Sequence, residues 1–511
     1  MTTLGGMILA SAAYPVSTIR ASEQVLLDAQ SEPDQLMRRA AHAVAVAAES
    51  LLAGQEHPYV LLLVGAGGNG GDALYAGASL AATHDVRAVL LGREGRVHER
   101  ARDAFVAAGC DVLEELPEPD LADLIVDGVL GIGGSGGLTP ELGDWLGEAQ
   151  APVLAVDVPS GIDADTGIAA EHHVTADVTV TFGGLRLAHA VSPLCGEVLL
   201  ADTGHEGGML SRELLRTSRP TMVYRVLEPR RSWPAPLIPL ISVTSEESLE
   251  PGVEDDKYSG GVVGVCAGSE TYPGAALLTT LGAVRATSSM VRYVGPLGRD
   301  VVRAVPEVVI SATVADTGRV QAWVVGPGRG TDDAAHAELA ELLARPETLL
   351  IDADAVTLLA RYPELRTALR TREGDALLTP HRGEFRRLAE AVGGLPDVSS
   401  DPLGAVRALS GELNCAVLLK GRRTVMGFAD HLCTIDAGSS WAATPGSGDV
   451  LSGLVGAWLA RCGLMGIREA VSIHGLAAWL SARTPDGPAP TSASRIAEAI
   501  PQATARFTGR R

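Results

Sequence analysis

The chain has 511 residues, 46% of them hydrophobic, and a mean hydropathy of +0.18. This exceeds one ordinary core and excludes a disordered chain, so two well-buried α/β domains of roughly 200–250 residues are expected. A net charge of −21 offers no basic stripe to displace counterions, so neither nucleic acid nor a membrane is expected as a partner.

Residues 1–20 carry a mildly apolar stretch with no basic residue before it, so no signal peptide is expected. No apolar run is expected to span a bilayer. Short apolar runs then recur between helical patterns, the signature of parallel sheets covered on both faces. In the first half they lie at 60–64, 88–91, 124–126, 153–156 and 178–181. The first runs into Gly65-Ala66-Gly67-Gly68-Asn69-Gly70-Gly71-Asp72, a glycine-rich turn that opens a helix. Such a turn suits either a nucleotide cradle or tight strand-to-helix packing.

Two further strand ends carry polar groups. One is Asp127-Gly128, followed by the glycine-rich loop 131–137; the other is Asp157-Val158-Pro159-Ser160-Gly161. Asn69, Asp127 and Ser160 thus offer hard oxygen ligands from three strand ends, suited to an alkali or alkaline-earth ion. Asp157 is left free to move a proton.

The pattern fails at 211–255, where Pro220, Pro229, Pro234, Pro236 and Pro239 precede an acidic stretch. This is expected to be a linker between domains at 1–210 and 256–511. Apolar runs resume at 262–266, 323–325, 349–351, 376–378 and 416–419. Asp352 and Asp354 follow one strand end and suit helix capping or Mg²⁺ binding. His381 and Lys420 follow two others.

The most informative segment is Thr444-Pro445-Gly446-Ser447-Gly448-Asp449, followed by apolar residues at helical spacing. Gly446, Ser447 and Gly448 should form the first turn of a helix, whose free N–H groups and positive dipole end attract phosphate. A carboxylate there is repelled unless it takes a proton from an attacking hydroxyl or holds a metal, so Asp449 marks a phosphoryl-transfer site.

The six cysteines are scattered without a CxxC pair, which disfavours metal clusters and a disulfide framework. A cytoplasmic location is expected. Only Lys257 and Lys420 are lysines.

In residues 15–205 the ordered motifs GxGxNGGD, VDxxxGxG and DVPSG, then Ala176-Asp177-Val178-Thr179-Val180-Thr181-Phe182-Gly183, resemble the NAD(P)HX epimerase domain. The resemblance implies a Rossmann-like three-layer fold and K⁺ on Asn69, Asp127 and Ser160. It places the substrate on Gly68, Asn69, Gly70, Gly71, Asp72, Gly131, Ile132, Gly133, Gly134, Ser135, Gly136, Gly137 and Asp157, with Asp157 catalytic. Gly68 stands where that family usually has Asn, and Ala73 where it has Gly.

Residues 256–500 resemble the ADP/ATP-dependent NAD(P)HX dehydratase domain, a ribokinase-like member. The motifs KY…G, GS…YPGA, GPG, DADA, TPHxGE, KG…T and GSGDVLSG occur in family order. The resemblance implies a three-layer α/β/α domain with Ala275, Gly328, His381 and Asp449 on the hydrated nicotinamide nucleotide. Lys420, Gly421, Arg422, Arg423, Thr424 and Gly448, with the 446–448 turn, would hold ADP, accompanied by Mg²⁺. The residues do not themselves separate ADP from ATP.

The expectation is therefore an enzyme that epimerises R- and S-NADHX or NADPHX and dehydrates the S epimer, with Asp449 as base. A homo-oligomer is expected. The alternative is a ribokinase-like small-molecule kinase with a non-catalytic N-terminal binding domain.

Overall fold

The computed structural model describes residues 11–92, 95–131, 136–201, 219–229, 231–245, 249–428 and 430–508. The chain divides into two compact bodies, one of 1–223 with 229–241 and the other of 224–228 with 242–511. Within the segment 211–255, Thr221–Arg225 and Leu237–Pro239 are strands.

The first body holds an eight-stranded sheet in the order Leu237–Pro239, Glu197–Ala201, Val178–Phe182, Val153–Val156, Leu124–Gly128, Tyr59–Val64, Asp85–Leu90, Asp111–Leu113. All pairs are parallel except the first. Side chains alternate across it with the period of a strand. Val60, Leu62 and Val64 enter one core with the alanine-rich helix Gln35–Leu51, while Leu61 and Leu63 enter another with Leu138, Leu142 and Trp145.

Helices thus cover both faces of a sheet whose central strands Tyr59–Val64, Leu124–Gly128 and Val153–Val156 are almost wholly buried. The strand order reverses between Tyr59–Val64 and Leu124–Gly128, and such a switch point opens a crevice at the carboxyl ends. A smaller pairing sets Tyr14 opposite Arg186 and Ala13 opposite Leu185 in parallel.

In the second body the strands run Val309–Ser311, Met290–Val294, Val262–Cys266, Ala322–Val325, Thr348–Ile351, Ala376–Leu378, Ala416–Leu419, then the antiparallel Arg423–Phe428 and His431–Asp436. Its switch point lies between Val262–Cys266 and Ala322–Val325.

One helix pair fixes the geometry there. Helices Pro273–Val284 and Ser447–Cys462 approach so closely that a Cβ on Gly453 would lie 1.8 Å from Thr279 O. A Cβ on Gly282 would lie 2.2 Å from Val450 O. Glycine is required at both contacts because backbone occupies the space a side chain needs. Ala275 and Asp449 lie in the first turns of these two helices, so their crossing ties the two sequence-predicted substrate contacts together.

The sequence suggests no membrane-length apolar run, yet the helical stretch Ser447–Ser481 reaches that length and apolarity. It consists of two α-helices joined by the 3₁₀ turn Gly463–Gly466, with most of its residues buried in the core of the second body.

Candidate active sites

The first site is built on the turn after Tyr59–Val64. Gly67 caps the helix Gly68–Leu80, and a Cβ on Gly70 would sit 2.1 Å from Gly65 O. The turn is folded flush against the chain after Leu124–Gly128, since a Cβ on Gly65 would lie 1.8 Å from Val129 O. At Gly68, by contrast, a Cβ would meet open space.

Asn69, Asp127 and Ser160 come together beneath this turn. Ser160 Oγ donates to Asp127 Oδ1 at 2.6 Å, Ser160 N–H donates to Oδ2 at 2.7 Å, and Val129 N–H reaches Oδ1 at 3.2 Å. Ser160 Oγ accepts from Leu130 N–H at 2.8 Å. The Asn69 side-chain amide lies 3.1 Å from Leu130 O and 2.6 Å from Val156 O.

Asp127 is 0% exposed, and burial raises its carboxyl against the opposing pull of the Ser160 and Val129 donors. No described cationic side chain pairs with it. A buried carboxylate, a hydroxyl, an amide and two carbonyls form a hard-oxygen donor set that fits an alkali cation.

Asp157 sits beside them with φ +67, in the left-handed region. The sequence leaves it free, but the structure engages it. Thr181 Oγ1 donates to Asp157 Oδ1 at 2.9 Å, and Arg186 Nη2 lies 2.9 Å from the same oxygen. Arg186 is 1% exposed and also donates to Phe182 O and Gly184 O, with Glu23 3.4 Å away. Its main-chain N–H donates to His189 Nδ1, so His189 carries its proton on Nε2 and donates it to Asp157 O at 2.8 Å.

A cavity of about 550 Å³ opens here, lined in part by Glu23, Gly68, Asn69, Asp72, Asp157 and Arg186. Burial, then the charges of Asp157 and Glu23, push the Asp72 carboxyl well above the usual range. Gly131 lines the same cavity and packs on Asn69, where a Cβ would come within 2.6 Å of Oδ1. Gly70 and Gly71 are buried in the first turn; a Cβ on Gly71 would meet Met37 Sδ at 2.6 Å. Ile132, Gly133, Gly134 and Ser135 lie outside the described residues, and Gly136 and Gly137 are exposed.

The second site surrounds Gly446, whose φ of +82 lets it cap the helix Ser447–Cys462. A side chain there would be strained and would meet Leu278 at 2.5 Å. Ser447 N–H donates to Thr444 O and Val450 N–H to Gly446 O. Among the described residues, the N–H groups of Gly448 and Asp449 have no partner and remain available to an anion.

Lys420 reaches this turn, its Nζ 3.5 Å from where a Gly448 Cβ would be. The same Nζ donates to Asp352 Oδ1 at 2.6 Å, and Ser452 Oγ donates to Asp352 Oδ2 at 2.7 Å. Asp352 therefore makes no side-chain cap, while Asp354 accepts from Gly330 N–H at 2.8 Å. Burial, then the Asp352 charge, raise the Asp449 carboxyl to about 6, with Lys420 pulling the other way.

Ala275 and Gly328 meet, since a Cβ on Gly328 would lie 2.7 Å from Ala275 Cβ. His381 caps the helix Arg382–Val392, its Nδ1 accepting from Gly383 and Glu384 N–H, while its main chain bridges to Lys420. A cavity of about 380 Å³ is lined by His381, Lys420, Gly421, Arg422, Thr424, Ser447 and Gly448, among others. Arg423 is not in that wall; its buried guanidinium faces Asp436 at 3.2 Å.

Sequence reasoning did not single out Arg186, Glu23 or His189, and it met Thr181 only inside the 176–183 motif, with no role. Their spacing carries no motif, and the one signal was an arginine in the otherwise apolar run after Phe182. It also missed His474, which lines the second cavity and lies 3.1 Å from Ser447 Oγ and Ser447 O. Burial holds its imidazole down to about 4, so it is neutral near pH 7.

Comparison with known proteins covers both bodies. A family model described as NAD(P)H-hydrate dehydratase matches residues 263–502, and one described as YjeF-related protein N-terminus matches 33–188. The bifunctional NAD(P)H-hydrate repair enzyme of Corynebacterium glutamicum is 46% identical over 96% of this chain and 98% of its own. That of Mycobacterium tuberculosis is 43% identical over 88% and 89%. Among solved structures, the ADP/ATP-dependent NAD(P)H-hydrate dehydratase of Bacillus subtilis is 26% identical with a TM-score of 0.44, covering 50% of this chain and 94% of that one. The chain belongs to the family of bifunctional NAD(P)H-hydrate repair enzymes.

Proposed function

We propose that this chain restores NADH and NADPH from their hydrates, residues 1–210 interconverting the R and S epimers and residues 256–511 dehydrating the S epimer with ADP. Residues 211–255 connect the two activities. The observation that carries the reading is Asp449, a carboxyl raised to about 6 in the first turn of a helix whose Gly448 and Asp449 N–H groups have no partner among the described residues.

Asp449 takes the proton of the substrate hydroxyl as its oxygen attacks the β-phosphorus of ADP and AMP departs. Lys420 and the N–H groups of the 446–449 turn hold the charge that develops on the phosphoryl oxygens. Loss of phosphate with the C–O electron pair, and of a proton from the neighbouring ring carbon, then restores the dihydronicotinamide. Mg²⁺ would enter on the nucleotide and share the neutralisation of its phosphates. Ala275, Gly328 and His381 would contact the nicotinamide nucleotide, and Gly421, Arg422 and Thr424 the adenine nucleotide. Arg423 would act through Asp436.

In the first body, Asn69, Asp127 and Ser160 would hold K⁺, which supplies the positive charge that buried Asp127 lacks. Asp157, fixed by Arg186 and Thr181, would move the proton at the reacting ring, with the substrate over Gly68 to Asp72. The kinase alternative is disfavoured because the bifunctional relatives match both halves together.

The test supplies both epimers of NADHX to the full-length protein with ADP, with ATP, or with neither. Both epimers should disappear with ADP as near-ultraviolet absorbance returns. A stable phosphoester product without that absorbance would establish the kinase reading.

A further inference from the structure

We propose that Asp352 is a positioning residue of the phosphoryl-transfer centre, holding the Lys420 ammonium against the 446–449 turn and setting the charge that Asp449 experiences. This rests on the dehydratase reading above.

Lys420 has a four-carbon stem and is only partly exposed, so without an anchor its ammonium would sample many positions. Asp352 supplies that anchor. It is 1% exposed at the end of the strand Thr348–Ile351, and both its carboxylate oxygens are engaged. Oδ1 accepts from Lys420 at 2.6 Å and Oδ2 from Ser452 at 2.7 Å. Ser452 lies one turn after Asp449 on the same helix, so one carboxylate ties the lysine strand end to the anion-binding helix.

The second consequence is electrostatic. The charged groups acting on Asp449 are Asp352, Lys420, Asp354 and Glu384. Asp352 is the largest of the charge contributions and opposes ionisation of Asp449, while Lys420 favours it. Asp354 is turned to Gly330 N–H, Glu384 caps His381 N–H, and His474 is neutral near pH 7. Removing the Asp352 charge therefore does two things at once. It frees Lys420 from its anchor, and it makes Asp449 easier to ionise.

The test compares Asp352→Asn, Asp352→Glu and wild type for kcat, KM for ADP and the acid limb of the kcat–pH profile with S-NADHX. The unfolding midpoint of the second body reports folding there, and epimerase activity of the same chain is the control for the first body. Asp352→Asn should lower kcat by about 10–100-fold, leave epimerisation unchanged, and move the acid limb to lower pH. Asp352→Glu keeps the charge but displaces the lysine, so kcat should fall with the limb near its wild-type position. A purely structural Asp352 would lower thermal stability without moving the limb. The proposal is overturned if Asp352→Asn keeps the wild-type rate and limb, or if the limb moves equally in both variants. Should Asp352→Asn fail to fold, a wild-type kcat in Asp352→Glu overturns it as well. Absence of ADP-dependent turnover in the wild type would instead reject the dehydratase reading itself.

Discussion

Arg186 Nη2 lies 2.9 Å from Asp157 Oδ1, inside a body where neither side chain is more than 5% exposed. A buried pair of this kind is costly to break, because the remaining charge is left without a partner. The pairing sets a guanidinium against Asp157 beside a cavity in which burial, then the charges of Asp157 and Glu23, push the Asp72 carboxyl well above the usual range.

Asp157→Asn should slow epimerisation by about 10²–10⁴-fold. Glu23, 3.4 Å from Arg186, remains as its carboxylate, so the variant should fold. Dehydration of the S epimer should be unchanged. Separate progress curves for the two epimers check this, and unaltered epimerisation would remove Asp157 from the mechanism.

Asp449 works as a base only when ionised. With its carboxyl raised to about 6, turnover by the second body should fall as pH drops through that value and level off above it. Asp449→Asn should retain ADP, measured by calorimetry, and lose about 10²–10⁴-fold in dehydration rate. A pH profile flat between 5 and about 7 would contradict the assignment.

The oxygen cluster of Asn69, Asp127 and Ser160 predicts a cation requirement confined to one activity. Epimerisation should rise when K⁺ replaces the smaller Li⁺ at equal ionic strength, and dehydration in the same sample should serve as control. Asp127→Asn should abolish the K⁺ response. A K⁺-independent epimerase would show that the donors serve only to fold the turn.

Gly453 predicts a packing effect at a distance from the chemistry. An alanine Cβ would lie 1.8 Å from Thr279 O, and the helices must separate to admit it. Gly453→Ala should cost about 1–3 kcal/mol, seen as a lower unfolding midpoint of the second body. Because that crossing aligns Ala275 with Asp449, dehydration should fall more than ADP affinity. An unchanged midpoint would mean that the crossing is loose.

Much of this was legible in one dimension because the relevant signals are local. The runs 60–64, 153–156 and 262–266 are continuous apolar stretches, and the structure has Tyr59–Val64, Val153–Val156 and Val262–Cys266 as strands. The less apolar strands Arg423–Phe428 and His431–Asp436 escaped, since their alternation is broken by Gly427 and Cys433. Several polar residues at strand ends were visible for the same local reason: a glycine adjoins Asn69, Asp127, Ser160, Lys420 and Asp449. Their charge partners were not. Arg186 stands 29 residues beyond Asp157, and Asp352 stands 68 residues before Lys420.

The chain by itself determined two layered α/β bodies, many of their strand runs and the polar residues at the strand ends, because periodicity and turn chemistry act over a few residues. Tertiary structure decided that Asp157 is clamped by Arg186, that Arg423 turns to Asp436, and that Lys420 is anchored by Asp352. Charge interactions depend on distance through space and on burial, and neither is set until the sheets bring remote strand ends together.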